Sequence, residues 1–349
     1  MSAATCPKKR YQKEKVLGEG TFGIVNKAKD TKTGQYVAIK KVRMGNSKDG
    51  VAIPALREIK ILQDVRHENL INLLDVFGTS SNINLVFDYC IADLEQIIKD
   101  KTIALSTAEV KGALKMILCG VAKLHEHWVL HRDLKPSNIL MDTKGVLKLT
   151  DFGLSKLFAS PDRKYTNQVV TRWYRAPELL FGATQYGIGV DMWSVGCIFA
   201  ELMLRQPYFP GDSDIDQLSK IYSALGTPTE EEWPGMAYLP AYVEFNPQPR
   251  PPMRKTFTAA SDEALDLLHR FLLFDPCQRI SAADALNHPY FKKSPLPCSP
   301  SQFLDKVKSG RLLSLDNEPP IVANDDDEND RAGKRRRYSS DLGKRRLEF

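Results

Sequence analysis

The pattern of hydrophobic and polar residues indicates strands in the first part of the chain. Residues 11–43 have a strand pattern, and residues 36–42 within it are rich in β-branched side chains and follow Gly34, a turn residue. Residues 83–90 indicate another buried strand. Between these strands, residues 54–64 carry apolar side chains at helical spacing and have a proline suited to the first turn. We therefore predict a strand-rich region that contains one helix.

The pattern becomes helical after about Asp93. Residues 107–126 place their apolar side chains on one face of a helix, and residues 187–204 and 261–273 show the same spacing. A strand-rich region followed by a longer helix-rich region predicts an α+β fold with two lobes, a β-rich N-lobe and a mostly helical C-lobe.

The pattern changes again near the C-terminus. Residues 325–330 form an acidic run, and residues 334–337 and 344–346 are basic clusters. Such a composition is typical of a flexible, charged tail. The basic clusters indicate either a nuclear localisation signal or a solvated charge run, so we expect a location in the nucleus, with the cytoplasm as the alternative. The predicted bounds are an N-terminal extension 1–10, a folded domain 11–291 (N-lobe about 11–90, C-lobe about 91–291) and the tail 292–349.

Composition excludes several classes of protein. The chain has 349 residues, of which 42% are hydrophobic and 26% charged, so it can bury a core and is not wholly disordered. Its net charge is +6, from 49 basic and 43 acidic residues, which does not argue for direct nucleic acid binding. We expect no membrane-spanning helix and no secretory leader, because long apolar runs are missing. The cysteines have no C-x-x-C spacing, which indicates reduced thiols.

Residues Gly18–Val25 have the pattern G-x-G-x-x-G-x-V. Glycines allow the backbone to approach phosphate groups closely. A dinucleotide-binding motif of this kind opens a helix, whereas this one continues into Ile24 and Val25, a strand pattern. The motif alone leaves a plain hairpin turn as an equal alternative.

Lys40 ends the apolar stretch Val37-Ala-Ile-Lys40 on the next predicted strand. The side chain of such a lysine often packs its stem and extends its ammonium into solvent. The functional alternative is a cation that contacts nucleotide phosphates, oriented by an anion. Glu58, in the predicted helix of residues 54–64, is a candidate for that anion.

Residues 131–138, His-Arg-Asp-Leu-Lys-Pro-Ser-Asn, carry the strongest chemical pattern. Asp133 can accept a proton from a substrate hydroxyl, and Lys135 can neutralise charge on a transferring phosphoryl group. Asn138 can bind Mg²⁺, as can Asp151, which opens an Asp-Phe-Gly triplet after a predicted strand. A charged surface loop is the alternative, and the spacing of these motifs disfavours it.

In this order, these motifs and Ala176-Pro-Glu178 resemble those of a eukaryotic protein kinase, over roughly residues 11–291. The resemblance implies a bilobal protein kinase fold that binds ATP between the lobes and uses Mg²⁺. It further implies that Lys40 contacts the phosphates and pairs with Glu58, and that Phe87 is the gatekeeper beside the adenine. The implied ATP-binding residues are Leu17, Gly18, Glu19, Gly20, Thr21, Phe22, Gly23, Ile24, Val25, Ala38, Lys40, Phe87, Asp88, Cys90 and Leu140; the catalytic residues are Lys40, Glu58, Asp133, Lys135 and Thr171; the metal ligands are Asn138 and Asp151.

Two further features place the resemblance within the family. Asp133-Leu-Lys135 resembles the serine/threonine branch, in which Thr171 would bond to this pair. Residues 170–178 resemble the CMGC group, in which Arg175 engages the carbonyl of Val170. The backbone then offers no acceptor to the residue after the phosphorylated one, so proline, which lacks an N–H, loses nothing there. The resemblance thus implies a Ser/Thr-Pro preference.

Residues 54–60 resemble the cyclin-contacting helix of cyclin-dependent kinases. Within that family, the sequence most resembles the catalytic subunits of CDK-activating kinases. This resemblance implies a cyclin H type partner, an assembly factor and transcription factor IIH. The implied protein substrates are the C-terminal repeats of RNA polymerase II and the activation loops of other cyclin-dependent kinases. A cyclin-dependent kinase with other substrates is the alternative. A catalytically inactive scaffold is disfavoured, because the catalytic residues are all present. The similar stretches are 49–58, 160–166, 186–193 and 208–214.

Thr166 lies in the implied activation loop. A phosphate there needs cationic partners, and the resemblance implies Arg57, Arg132 and Lys156. Because a lysine lacks the bidentate fork of an arginine, we expect a weaker dependence on phosphate. Ser160 precedes a proline and is either a second regulatory phosphorylation site or part of a turn.

Overall fold

A computed structural model of the chain describes residues 10–20, 23–43, 53–79, 82–152, 155–157 and 172–313. The N-lobe contains a five-stranded antiparallel sheet in the order β1-β2-β3-β5-β4. Its strands are β1 (Tyr11–Gly20), β2 (Gly23–Asp30), β3 (Tyr36–Arg43), β4 (Leu73–Thr79) and β5 (Asn82–Asp88).

Side chains alternate across strand β3 and divide it between structure and function. Val37 and Ile39 are buried in a small apolar cluster on one face of the sheet. Ala38 and Lys40 point to the other face, because neighbouring residues of a strand face opposite sides. Helix α1 (Ile53–Asp64) carries Glu58 on a buried position. The predicted strand and helix are therefore present, and they bring Lys40 and Glu58 to one side of the sheet.

The C-lobe is mostly helical. Helix α3 begins with a capping box between Ser106 and Glu109 and buries one apolar face, as predicted. Helix α5 is buried over nearly its whole length, which explains its long apolar run. The helices are α2 (Leu94–Lys99), α3 (Thr107–Glu126), α4 (Pro177–Leu180), α5 (Gly189–Leu204), α6 (Asp214–Leu225), α7 (Asp262–Phe271), α8 (Ala282–Leu286), α9 (Pro289–Lys292) and α10 (Pro300–Lys308).

Two small sheets hold the connections that matter for chemistry. One has the order β6-β8-β9, with strands Cys90–Asp93, Ile139–Asp142 and Leu147–Leu149. The other pairs β7 (Val129–Leu130) with β10 (Lys156–Leu157). Residues 131–138 lie between β7 and β8, so both ends of this loop are anchored in sheet.

The prediction of a flexible tail from residue 292 is wrong for residues 293–313. Helix α10 begins with a capping box between Ser299 and Gln302, and its apolar side chains Phe303 and Val307 are buried. The buried ammonium of Lys111 donates to two carbonyls in the segment that leads to this helix. Residues 293–313 therefore pack against the C-lobe, and the charged runs at 325–346 lie outside the described residues. Among the helices described, none is long and apolar enough to cross a membrane.

Candidate active site

Lys40 is part of a buried ion cluster at the junction of the lobes. Its Nζ atom donates to both carboxylate oxygens of Glu58, at 3.1 and 3.0 Å, and lies 3.4 Å from Oδ1 of Asp151. The Lys40 side chain is only 14% exposed, so the alternative of an ammonium extended into solvent is wrong. Burial lowers the pKa of Lys40, but the two carboxylates outweigh that effect, and the pKa is raised above its ordinary value. Lys40 is therefore a fixed cation.

Asp133, Lys135 and Asn138 form a second cluster within one loop. The Asp133 carboxylate accepts hydrogen bonds from Nζ of Lys135 and from Nδ2 of Asn138, each at 2.9 Å. The same Nδ2 atom donates to the backbone carbonyl of Asp133 at 2.8 Å. These bonds orient the carboxylate and leave the oxygen of the Asn138 side chain as the ligand atom.

Asp191, in helix α5, is hydrogen-bonded to the first residues of this loop. Its carboxylate accepts hydrogen bonds at 2.9 Å from the backbone N–H groups of His131 and Arg132 and from Nε2 of His125. Burial raises the pKa of Asp191, but the bond from His125 and the other donors outweigh it and keep the pKa below its ordinary value. Arg132 has a left-handed backbone (φ 67°), which costs free energy unless neighbouring contacts hold it. An ionised Asp191 supplies those contacts.

The two predicted Mg²⁺ ligands lie on adjoining backbone. The N–H of Thr150 donates to the carbonyl of Asn138 at 3.0 Å, and Asp151 follows directly, with a left-handed backbone (φ 66°). Within the described residues, no three His, Cys, Asp or Glu side chains gather as a metal cluster. A carboxylate and a carboxamide oxygen nevertheless fit Mg²⁺, which takes few protein ligands and completes its shell with water and substrate phosphates.

The nucleotide side of the site is aligned by strand register. Gly18 pairs with Val25, and Val25 pairs with Lys40, so the glycine-rich loop leads directly to the ion cluster. At Gly23 (φ 138°), a Cβ atom would lie 1.9 Å from the carbonyl oxygen of Lys41. Only glycine fits there, which supports a loop built for close backbone approach.

The predicted adenine-binding residues lie where the lobes join. Ala38 pairs with Phe87 across β3 and β5, which places both at the N-lobe side. Leu140, on β8, is at the C-lobe side. Asp88 ends β5 and Cys90 begins β6, so the connection between the lobes passes this point. Burial raises the pKa of the Cys90 thiol to about 12, so it is protonated at neutral pH.

Comparison with known proteins decides the family. The family model of the protein kinase domain matches residues 11–291. The chain belongs to the protein kinase family. It is 55% identical over 293 residues to cyclin-dependent kinase D-1 of Oryza sativa subsp. indica, a match over 84% of this chain and 69% of that protein. It is 55% identical over 316 residues to cyclin-dependent kinase 7 of Xenopus laevis, over 88% and 90% of the two chains.

A solved structure agrees with this assignment. The CAK complex from Chaetomium thermophilum bound to ATP-γ-S contains a chain that is 42% identical, with a TM-score of 0.80, over 84% of this kinase and 94% of that chain. The predicted kinase fold and the predicted membership in the cyclin-dependent serine/threonine kinases, next to the CDK-activating group, are confirmed.

Two of the predicted regulatory cations affect each other electrostatically. Burial lowers the pKa of Arg57, and the positive charge of Arg132 lowers it further. Arg132 also donates to the hydroxyl of Tyr186 at 2.8 Å. Arg175 donates to Asp214 at 3.2 Å, while its predicted partner Val170 lies outside the described residues.

Several predicted residues of the kinase cannot be placed in this site. Their positions, or their side chains, lie outside the described residues, and their roles stay predictions. They are Thr21, Phe22, Ser160, Thr166 and Thr171, and the side chains of Glu19 and Lys156.

Asp191 and His125 are not among the site residues predicted from the sequence. An available indication was the acidic residue in the first turn of the largely apolar helix α5. A carboxylate at a buried helix position is almost always paired, so this one had to bind a partner elsewhere in the chain.

Proposed function

We propose that this kinase transfers the γ-phosphoryl group of ATP to serine or threonine hydroxyl groups of proteins, with Mg²⁺ as its cofactor. The observation that carries the proposal is that both charged clusters are assembled at once. Lys40, held by Glu58, is a fixed cation for the phosphates of ATP, and Asp133, held by Lys135 and Asn138, is a fixed acceptor for a hydroxyl proton. Phosphoryl transfer depends mainly on such positioning and charge stabilisation.

The residues divide the work of the reaction. The substrate hydroxyl donates a hydrogen bond to the Asp133 carboxylate, which takes the proton as the oxygen bonds to the γ-phosphorus and the bond to ADP breaks. Lys135, 2.9 Å from that carboxylate, neutralises the charge that develops on the transferring group. Asn138 and Asp151 would hold Mg²⁺, which neutralises and orients the phosphates when bound.

Partners and substrates follow from the relatives. We propose that a cyclin, of the H type, binds helix α1, where the apolar side chain of Leu56 is 50% exposed. The Xenopus relative is named cyclin-dependent kinase 7 and the matching structure is a CAK complex. That supports activation loops of other cyclin-dependent kinases and the C-terminal repeats of RNA polymerase II as substrates, and an assembly factor and transcription factor IIH as partners.

Two further properties are part of the proposal. The electrostatic effect of Arg132 on Arg57 supports an anion site for a phosphate on Thr166. The basic clusters 334–337 and 344–346 support import into the nucleus, which deletion of residues 334–346 tests through nuclear levels of the kinase.

The test is phosphate transfer by the complex isolated from cells through this chain. Polymerase repeat peptide and an unphosphorylated cyclin-dependent kinase are offered side by side, with Asp133→Asn as the control. Transfer to both, lost in the control, supports the full proposal. Transfer to the repeat alone removes kinase activation from it. Failure to transfer to either, with a cyclin bound, overturns it.

A further inference from the structure

The connection between the lobes is tied through the side chain of one residue, Asp88. Nδ2 of Asn72 donates to Oδ2 of Asp88 at 2.7 Å. The backbone N–H of Asp88 donates to the carbonyl of Asn72 at 3.4 Å. From the C-lobe, Nζ of Lys148 lies 3.6 Å from the same Oδ2 atom. The carboxylate therefore has one partner in the segment before β4 and another on β9.

Lys148 is itself fixed. Its side chain is 7% exposed, and its Nζ atom donates to the carbonyl of Glu68 at 2.9 Å. A buried ammonium is costly unless it is paired and hydrogen-bonded. Both partners, the carbonyl of Glu68 and the carboxylate of Asp88, therefore fix the position of the Lys148 ammonium.

These contacts close a loop through the C-lobe sheet. The chain leaves Asp88 and enters β6, whose first residue pairs with β8, and β8 pairs with β9. In that register Lys148 pairs with Leu140, a predicted adenine contact, before its side chain returns to Asp88.

The segment before β4 is bonded to the same strand. Nδ2 of Asn69 donates to the carbonyl of Leu147 at 2.9 Å, and the N–H of Leu149 donates to the carbonyl of Asn69 at 2.9 Å. The N–H of Ile71 donates to the carbonyl of Leu149 at 3.0 Å. Asn72 follows directly, so both partners of Asp88 belong to one bonded unit.

We propose that Asn72 and Lys148 are positioning residues for ATP, which act by fixing the carboxylate of Asp88 and with it the backbone that binds the adenine edge. The inference rests on the proposed function, together with the implied ATP contacts of Asp88 and Cys90, which the resemblance assigns to their backbone and the adenine edge. A binding edge that is held in place before ATP arrives needs no ordering when ATP binds, so the contacts favour affinity for ATP. The hydrogen bonds of both side chains go to Asp88 and Glu68 and not to the Asp133 cluster, so we expect the chemical step to be left nearly unchanged.

The test uses Asn72→Ala in the kinase–cyclin complex, with Asn84→Ala, the same substitution at another N-lobe asparagine, as the control. Asn84 is a buried N-lobe asparagine whose Nδ2 atom donates to the carbonyl of Phe77 at 3.4 Å, and no hydrogen bond among the described residues joins its side chain to Asp88. Loss of one hydrogen bond of ordinary strength predicts a KM for ATP about three- to tenfold higher in Asn72→Ala, with kcat changed less than about twofold. Asn84→Ala leaves the KM for ATP unchanged.

A double-mutant cycle separates positioning from a general loss of structure. Asn72→Ala and Asp88→Ala act through one contact, so the KM for ATP of the double variant is expected to equal that of the worse single variant. When Asn84→Ala is combined with Asp88→Ala, the fold-changes of the two variants in the KM for ATP are expected to multiply. Both cycles leave Lys148 in place, and its ammonium keeps the hydrogen bond to the carbonyl of Glu68 when Asp88 is replaced.

The outcomes are distinct. A wild-type complex that transfers phosphate while Asn72→Ala keeps the wild-type KM for ATP overturns this inference and leaves the proposed function standing. An equal rise in the KM for ATP in Asn84→Ala, or multiplicative effects of Asn72→Ala and Asp88→Ala, also overturns it. Failure of the wild-type complex to transfer phosphate overturns the proposed function itself.

Discussion

The two charged clusters of this kinase are built over very different distances in the chain. Asp133, Lys135 and Asn138 belong to one loop, and the Asp133–Asn138 contact spans 5 residues. Lys40 instead reaches Glu58 across 18 residues and Asp151 across 111. The first cluster forms within one loop that is anchored in the C-lobe core. The second exists only while three separate elements keep their relative positions.

This difference shows where control can act. The loop of Asp133 is fixed to helix α5 through Asp191, inside the C-lobe core. Glu58 is on helix α1, which exposes Leu56 on its outer side. A partner that binds α1 can therefore move Glu58 relative to Lys40 without disturbing the loop.

The largest expected effect is on the loop cluster. Asp133→Asn removes the proton acceptor and is expected to lower kcat by about 10²–10⁴-fold, while the KM for ATP stays nearly unchanged, because general base catalysis contributes about that much. Single-turnover transfer kinetics measure this. Asp262→Asn, which changes an exposed carboxylate paired with Arg254 in the C-lobe, is the control and should keep full activity. A residual rate within tenfold of wild type would contradict the role of Asp133.

The base of the loop should be nearly as sensitive. Asp191→Asn removes the charge that binds two backbone N–H groups and His125, and it is expected to lower the free energy of unfolding by about 2–3 kcal/mol, since hydrogen bonds to a buried charge are the strong ones. Urea denaturation measures the loss. Unchanged stability would mean that the loop holds its left-handed backbone without Asp191.

The other cluster should respond less strongly. Glu58→Gln keeps the shape of the side chain but removes its charge, and Lys40 keeps its ion pair with Asp151. We expect kcat/KM for ATP to fall about 10- to 100-fold, the effect of losing one charged hydrogen bond. Steady-state kinetics at varied ATP concentration measure this ratio. The ratio of Glu58→Asp, a variant that keeps the charge, is the comparison. An unaffected Glu58→Gln variant would remove Glu58 from the account.

The smallest expected effect lies far from both clusters, where the first residues of the N-lobe are tied down. The guanidinium of Arg10 binds Asp30 at 2.8 Å and holds the pKa of that carboxyl at about 2, below its ordinary 3.8. Because the pKa is lowered in the folded state, the pair stabilises the kinase above about pH 4, and this stabilisation is lost as the pH falls towards 2.

Removal of Arg10 tests this pH dependence. Arg10→Gln is expected to lower the free energy of unfolding by about 1 kcal/mol at pH 6. The loss is small because Arg10 is partly exposed and solvent screens its ion pair. The free energies of unfolding of the two proteins should converge as the pH approaches 2. A difference that stays constant down to pH 2 would point to lost packing rather than to the charge.

The same contrast in distance explains what could be predicted from the sequence. The loop of residues 131–138 was predicted because its chemistry is written within one short motif, and Lys40 and Glu58 were paired through the resemblance to kinases. Asp191 was missed, because its contact with His131 spans 60 residues and no local pattern records it. Asn72 and Lys148 were missed for the same reason.

The tail boundary was missed for a different reason. The pattern of helix α10 was present, with Ser299 and Gln302 as a capping box before Phe303 and Val307. The charged runs that follow it are typical of a flexible tail, and this short amphipathic stretch is a weaker pattern than they are. Its stability comes from packing on the C-lobe, which composition alone does not show.

The central claim is that the Asp133 loop is held within the C-lobe, whereas the Lys40–Glu58 pair, although formed in this structure, depends on helix α1 and is made more stable by a partner that binds there. Backbone hydrogen exchange, measured on the kinase alone and on its complex with the cyclin that copurifies with it, tests this most directly. We predict that cyclin slows exchange strongly in residues 56–64 of α1 and leaves residues 131–138 equally protected in both states. Protection of residues 131–138 that appears only with cyclin would contradict the account.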